Sequence, residues 1–216
     1  AIFTVVHAAL LKPLPFAETD RLVLAHNGGT LSEAFPASYP QFLDWRDKSN
    51  VFESVGTFFN WRVTIGGGTE PEWVLGVRCS SSLFQTLGIQ PLIGRTFTRD
   101  EEARTAERVV LIGEALWRRR FGADTAVIGR SIVISDTPFT VIGVVPDKFR
   151  RLRPVDGALD LFAPLRVTEQ TAPRSLNFMR AIGLLRPHQS IAQARQQFQD
   201  TELRLQPDVQ PRPRVG

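Results

Sequence analysis

From residue 21 to 26 (RLVLAH) apolar and polar positions alternate, which predicts a short strand turned by Asn27, Gly28 and Gly29. Ser38 followed by Gln41 has the pattern of a capping box and predicts a helix start. Tyr39, Phe42, Leu43 and Trp45 form the apolar stripe of that helix, while Asp44, Arg46, Asp47 and Lys48 are expected to face water. Residues 51–65 are aromatic and β-branched, a strand pattern turned by Gly66, Gly67 and Gly68, and 72–79 (EWVLGVRC) reads as the next strand. Ser82 with Gln85 repeats the capping pattern and opens a short helix carrying Leu83, Phe84 and Leu87, closed by Gly88. A loop over 89–103 leads to the apolar run 109–112, a buried strand, and then to a helix over 114–121 with Trp117 and Phe121 one turn apart. Within 130–145 two alternating stretches flank Ser135, Asp136, Thr137 and Pro138, a hairpin signal. Short strands are expected over 161–165 and 178–185. Ser190 with Gln193 opens a last amphipathic helix, with Ile191, Ala194, Phe198 and Leu205 on its inner face and Pro207 as its stop.

This order predicts an α+β fold. The opening and closing portions each have the form of half a β-α-β layer, and the strand-rich middle is an inserted second unit. No repeat of solenoid period occurs. The opening stretch 1–11 (AIFTVVHAALL) is apolar apart from Thr4 and His7 and is stopped by Lys12 and Pro13. It is shorter than the roughly 20 residues of a membrane-crossing helix and lacks the basic start and cleavage site of a signal peptide. Two readings stay open: the outer half of a membrane helix, or a buried first helix or strand.

Composition narrows the classes. Of 216 residues, 43% are hydrophobic and 22% charged, an ordinary globular balance that excludes general disorder. The net charge is +4 and comes from arginines scattered along the chain, with one run at Arg118, Arg119 and Arg120. A nucleic-acid reader would gather such charges among exposed aromatics, so no nucleic-acid partner is expected. A single cysteine, Cys79, excludes an internal disulfide and a thiolate-rich metal site.

Candidate chemistry is sparse. Cys79 with His7, His26 or His188 could be imagined as a thiol–imidazole pair, yet it ends a strand and no protease signature surrounds it; a buried core residue is the better reading. The triple glycine is followed by Thr69, Glu70 and Pro71 in place of the lysine and helix of a phosphate loop, so it reads as a turn. Asp100, Glu101 and Glu102 read as a solvated helix start, and Arg118 to Arg120 as a wet helix face. The three histidines have no metal-ligand spacing. No catalytic, cofactor or metal residue is assigned.

Taken together, the segments SYPQFLDW, GVRCSSSLFQTLGIQPLIGRTFTRDE, VVLIGEALWRRRFG and VIGRSIVISDTPFTVIGVVPDKF resemble the periplasmic core domain of MacB-like permeases. These are the type VII ABC transporters, with the related FtsX-type and orphan duplicated permeases. The motifs follow the family's order: Gly94-Arg95-Thr96-Phe97, Trp117 to Gly122, Gly129-Arg130, and Gly143 to Pro146. The resemblance implies a Porter-like β-α-β subdomain interrupted by a β-rich Sabre-like one. It divides the chain into the end of a first transmembrane helix with its linker (1–16), a discontinuous Porter-like part (17–79 and 168–206), a Sabre-like insert (80–167) and a tail towards a second transmembrane helix (207–216). It also implies a periplasm-facing domain of a bacterial inner-membrane permease that couples cytoplasmic ATP hydrolysis to cargo export or partner activation by mechanotransmission. The implied partners are an ABC ATPase domain or subunit, a second permease copy, a periplasmic adaptor or cell-wall enzyme, and the membrane through flanking helices. No cofactor is implied and no enzyme activity. Lys148, Phe149, Arg150 and Arg151 are a candidate partner contact, against an ordinary solvated loop. The alternatives are a freestanding periplasmic ligand-binding domain and a hydrolase.

Overall fold

Residues 3–6, 21–27, 36–66, 71–147, 159–189, 192–193 and 196 are described by the computed structural model. Two compact units result, one of Ala1–Lys12, Glu18–Thr57 and Thr168–Gly216, the other of Pro13–Ala17 and Phe58–Val167. The architecture is mixed α and β. The expected last helix, from Ser190, lies almost wholly outside the described residues.

In the first unit, β1 (Phe3–Val6) and β10 (Arg180–Leu185) both pair antiparallel with β2 (Leu22–Asn27), and β3 (Phe52–Ile65) follows β10. The four residues of β1 lie inside the opening apolar stretch and are extended, not helical. Thr4, Val5 and Val6 are β-branched, and their crowded Cβ atoms favour that conformation. Among the described residues, no helix is long and apolar enough to cross a membrane.

The helix α1 (Tyr39–Lys48) starts where the sequence predicts. Ser38 is extended, its hydroxyl accepts from Gln41 N at 3.4 Å, and its own N–H donates to Gln41 Oε1 at 3.0 Å. Phe42 and Trp45 are fully buried. Asp44, expected to face water, is only 5% exposed. It lies on the buried side because Lys48 Nζ reaches it at 2.8 Å and Arg174 Nη2 at 2.6 Å, so its charge is compensated. Gly183 in β10 has a steric reason: a Cβ there would lie 2.4 Å from two carbons of the Phe52 ring.

The second unit closes on itself. From Phe58 onward β3 pairs with β4 (Glu72–Cys79), β4 with β9 (Leu161–Pro164), β9 with β6 (Val109–Gly113), and β6 with β8 (Thr137–Val145). The strand β7 (Ser131–Ile134) pairs with β8 and returns to β3 through Ile65 opposite Ile134. The ring of pairings is a small mixed barrel, parallel at β4/β9 and β6/β8 and antiparallel elsewhere. Alternate residues such as Val63, Ile65, Val110, Ile112, Ile132, Ile134 and Val141 fill one buried cluster, joined by Leu116 and Trp117 of α3 (Glu114–Phe121). The turn between β7 and β8 is the predicted one, with Ser135 and Asp136 at φ of 42° and 63°, the left-handed pair that a tight hairpin requires.

A second apolar layer forms where α2 (Ser82–Thr86) brings Phe84 edge-on to Phe97 at 5.2 Å and near Phe162 at 6.3 Å. The short β5 (Ile93–Gly94), inside the expected loop, crosses β8 at Gly143, where Gly94 has φ of 74° and a Cβ would stand 2.2 Å from the Ile142 carbonyl oxygen. One boundary between the two compact units lies at Thr57/Phe58, inside β3. The pairing from Phe58 opposite Cys79 to Ile65 opposite Glu72 keeps this half of β3 with its hairpin partner.

Candidate functional site

Cys79 ends β4 fully buried, and that burial, with Glu102 nearby, pushes its thiol well above the usual range. The thiolate needed for nucleophilic chemistry is therefore disfavoured. His7 lies outside the described residues, His26 is described only in its backbone, and His188 is exposed. Among the described residues, no group of three or more His, Cys, Asp or Glu converges as metal ligands would. Lys148, Phe149, Arg150 and Arg151 all lie outside the described residues.

Two charged runs that read as solvated keep Asp100, Arg118 and Arg119 exposed, yet also carry structural ties. In the 3-10 turn Asp100–Glu102, Glu101 accepts from both Arg95 Nη atoms at 2.7 and 2.9 Å and from Thr98 N at 2.8 Å. The Arg95 hydrogen bonds hold the Glu101 carboxyl below its ordinary value against the opposing effect of burial. Glu102 accepts from Ser81 N and Ser81 Oγ, both at 2.6 Å, so the start of α2 is tied to this turn and not capped by Ser82 and Gln85. On α3, Arg119 donates to Asp160 at 2.8 Å and to Glu72 at 2.8 Å, and Arg120 donates to Glu72 at 3.0 Å and to the Gly66 carbonyl at 2.8 Å. Burial alone would raise Glu72, but the hydrogen bonds and charges of Arg119 and Arg120 outweigh it and lower the carboxyl below its usual range. These arginines fasten the helix to β4 and to the residue before β9.

A different set of cations faces open space. A groove of about 510 Å³ in the second unit is lined by Arg104, Thr105, Arg108, Ser131, Thr140 and Arg166, with Phe139 on its apolar side. Arg166 is left-handed at φ 52°, a conformation uncommon outside glycine. Its Nη2 donates to the carbonyls of Ala106, at 2.7 Å, and Glu107, and its Nε is buried without a partner. Arg104 and Arg108 are exposed. Among the described residues, none of these three guanidiniums forms an ion pair with a carboxylate. Burial and then the charge of Arg108 lower the proton affinity of Arg166, with Glu101 opposing. Arg78, stacked 4.4 Å over the Trp61 ring and donating to the Pro164 carbonyl at 3.0 Å, is lowered by burial and by Arg166 and Arg108. The site supplies hydrogen-bond donors and a positive field, and Glu107 is the one acidic residue in its lining.

Comparison with known proteins places this geometry in a family. The family described as MacB-like periplasmic core domain matches residues 1–201. A probable syringafactin export ATP-binding/permease protein of Pseudomonas syringae is 35% identical over 85 residues, which cover 39% of this chain and 12% of that protein. The periplasmic region of MacB from Actinobacillus actinomycetemcomitans superposes with a TM-score of 0.67 at 16% identity, covering 91% of this chain and 88% of that one. A domain of a protein described as a permease, from Porphyromonas gingivalis, gives 0.66 at 17%, covering 90% and 87%. The extracellular domain of the ABC-type transporter YknZ, from Gram-positive bacteria, gives 0.51 at 14%, covering 77% and 86%. At these identities the solved structures establish the fold.

Proposed function

The chain belongs to the family of MacB-like periplasmic core domains, and from that premise we propose that it is the periplasm-facing part of a bacterial ABC-type permease that passes on motion and performs no catalysis. Nucleotide hydrolysis belongs to an ATPase domain or subunit on the cytoplasmic side, and two permease copies work as a pair. An export ATP-binding/permease protein among the relatives supports the ATPase partner.

The observation that carries the mechanical reading is the placement of β1 and β10. Both strands flank β2 in one unit and run antiparallel to it, and therefore in the same direction as each other. Phe3, where β1 begins, is opposite Asn27, while the end of β10 is opposite Leu22 at the other end of β2. Opposed pulls at these two points load the ladders in shear, along the strands. Interstrand hydrogen bonds, which lie across the strands, then share the load instead of opening one by one. The first unit is thereby suited to move as a rigid body between flanking membrane helices, with the barrel as the part presented to cargo, adaptor or enzyme.

The topology of this proposal is tested with Asp136→Cys, at the exposed hairpin turn, in the full-length protein. A membrane-impermeant maleimide added to intact spheroplasts should label the introduced thiol, while Cys79 stays unlabelled because it is buried. Labelling at the hairpin only after lysis would place the domain on the other side and end the proposal.

A further inference from the structure

The groove described above holds three guanidiniums contributed by separated stretches of chain and no carboxylate paired with any of them among the described residues. Arginines that serve structure in this domain look different. Arg95, Arg119 and Arg120 are each paired with at least one carboxylate. Arg166, by contrast, spends its Nη groups on the 104–107 loop, keeps a buried Nε–H unsatisfied, and adopts a left-handed backbone that a side chain ordinarily avoids. A buried donor without a partner costs free energy until something accepts from it. Backbone strain kept at a cluster of like charges marks a position held for a purpose beyond packing.

We propose that the groove bounded by Arg104, Arg108, Arg166, Thr105, Ser131 and Thr140 binds a phosphate group. Guanidinium forks match the oxygens of a phosphate, and the three hydroxyls add donors that need no charge of their own. Of the lining residues only Glu107 is acidic, so two positive charges remain uncompensated, the number a phosphate dianion neutralises. A volume of about 510 Å³ exceeds a bare phosphate and falls in the range of small-ligand sites, so the phosphate is one end of a larger molecule or a headgroup reaching in from outside. The mutual repulsion of Arg78, Arg108 and Arg166 supports this assignment, since a bound anion relieves it. The inference rests on the second unit by itself and stands or falls independently of the membrane tethers.

The experiment titrates the chain with inorganic phosphate by calorimetry at fixed ionic strength, with chloride as the control ion. Saturable heat from phosphate is expected, weakened about tenfold by Arg108→Gln and by Arg104→Gln, each of which removes a charged donor. Arg62→Gln, an exposed arginine of β3 outside the groove, should bind like the parent. Sedimentation with phosphatidylcholine vesicles containing phosphatidic acid separates the two sources. Retention that depends on Arg104 and Arg108 assigns a lipid headgroup, and phosphate binding without retention assigns a soluble phosphate compound. Absence of saturable binding to either probe would overturn the proposal, as would equal weakening by Arg62→Gln. Arginine-dependent binding of poly-glutamate with none of phosphate would overturn it too, and would make the groove an acidic-peptide site.

Discussion

Single side chains in this domain divide into those that hold the fold and those left facing solvent. Glu72, Glu101 and Glu114 all belong to the first kind, each held below its ordinary carboxyl range by arginine partners. A carboxyl depressed on folding contributes stability above its unfolded value, about 4.3 for a glutamate, and loses that contribution as pH falls through the lower folded value. Denaturant midpoints are therefore expected to be flat at neutral pH and to fall below about pH 4.3, and Glu101→Gln should reduce that acid dependence while lowering the plateau. A midpoint that rises on acidification would contradict the ion-pair account. These roles were not legible in the sequence. The run 100–102 reads as a solvated acidic turn, yet Glu101 finds Arg95 and Glu102 finds Ser81, partners fixed by the chain's return path and not by local spacing. Asp44 misled in the same way, since its partner Arg174 lies 130 residues further on.

Elements whose pattern is local were readable. The capping box of Ser38 and Gln41 and the hairpin turn at Ser135 and Asp136 are formed as predicted, because each needs only neighbouring residues. The expected capping pair Ser82 and Gln85 is displaced by Glu102, and β5 was hidden in a loop because its two residues carry no periodicity. Parallel pairing of β6 with β8 and of β4 with β9, and the return of β7 to β3, are contacts between distant stretches with no signature in either strand. The close approach of β10 to Phe52 is of this kind as well. Gly183→Ala would put a methyl group where the Phe52 ring stands, and a loss of roughly 1–3 kcal/mol is expected from urea unfolding. Unchanged stability would mean that the ring has room to turn away.

At the scale of the molecule, the resemblance to the periplasmic core domains was carried by ordered motifs, and the family match and superpositions agree with it. The phosphate groove escaped a reading of charge along the chain because Arg104, Arg108 and Arg166 meet only after the barrel closes. The motion proposed above would be that of two permease copies in a membrane. The most direct measurement is the distance between spin labels at Asp136→Cys in the two copies of the full-length protein, by electron–electron double resonance. Nucleotide-free and ATP-bound samples should give distributions displaced from one another, with reversal after hydrolysis. Superimposable distributions in all nucleotide states would contradict the account.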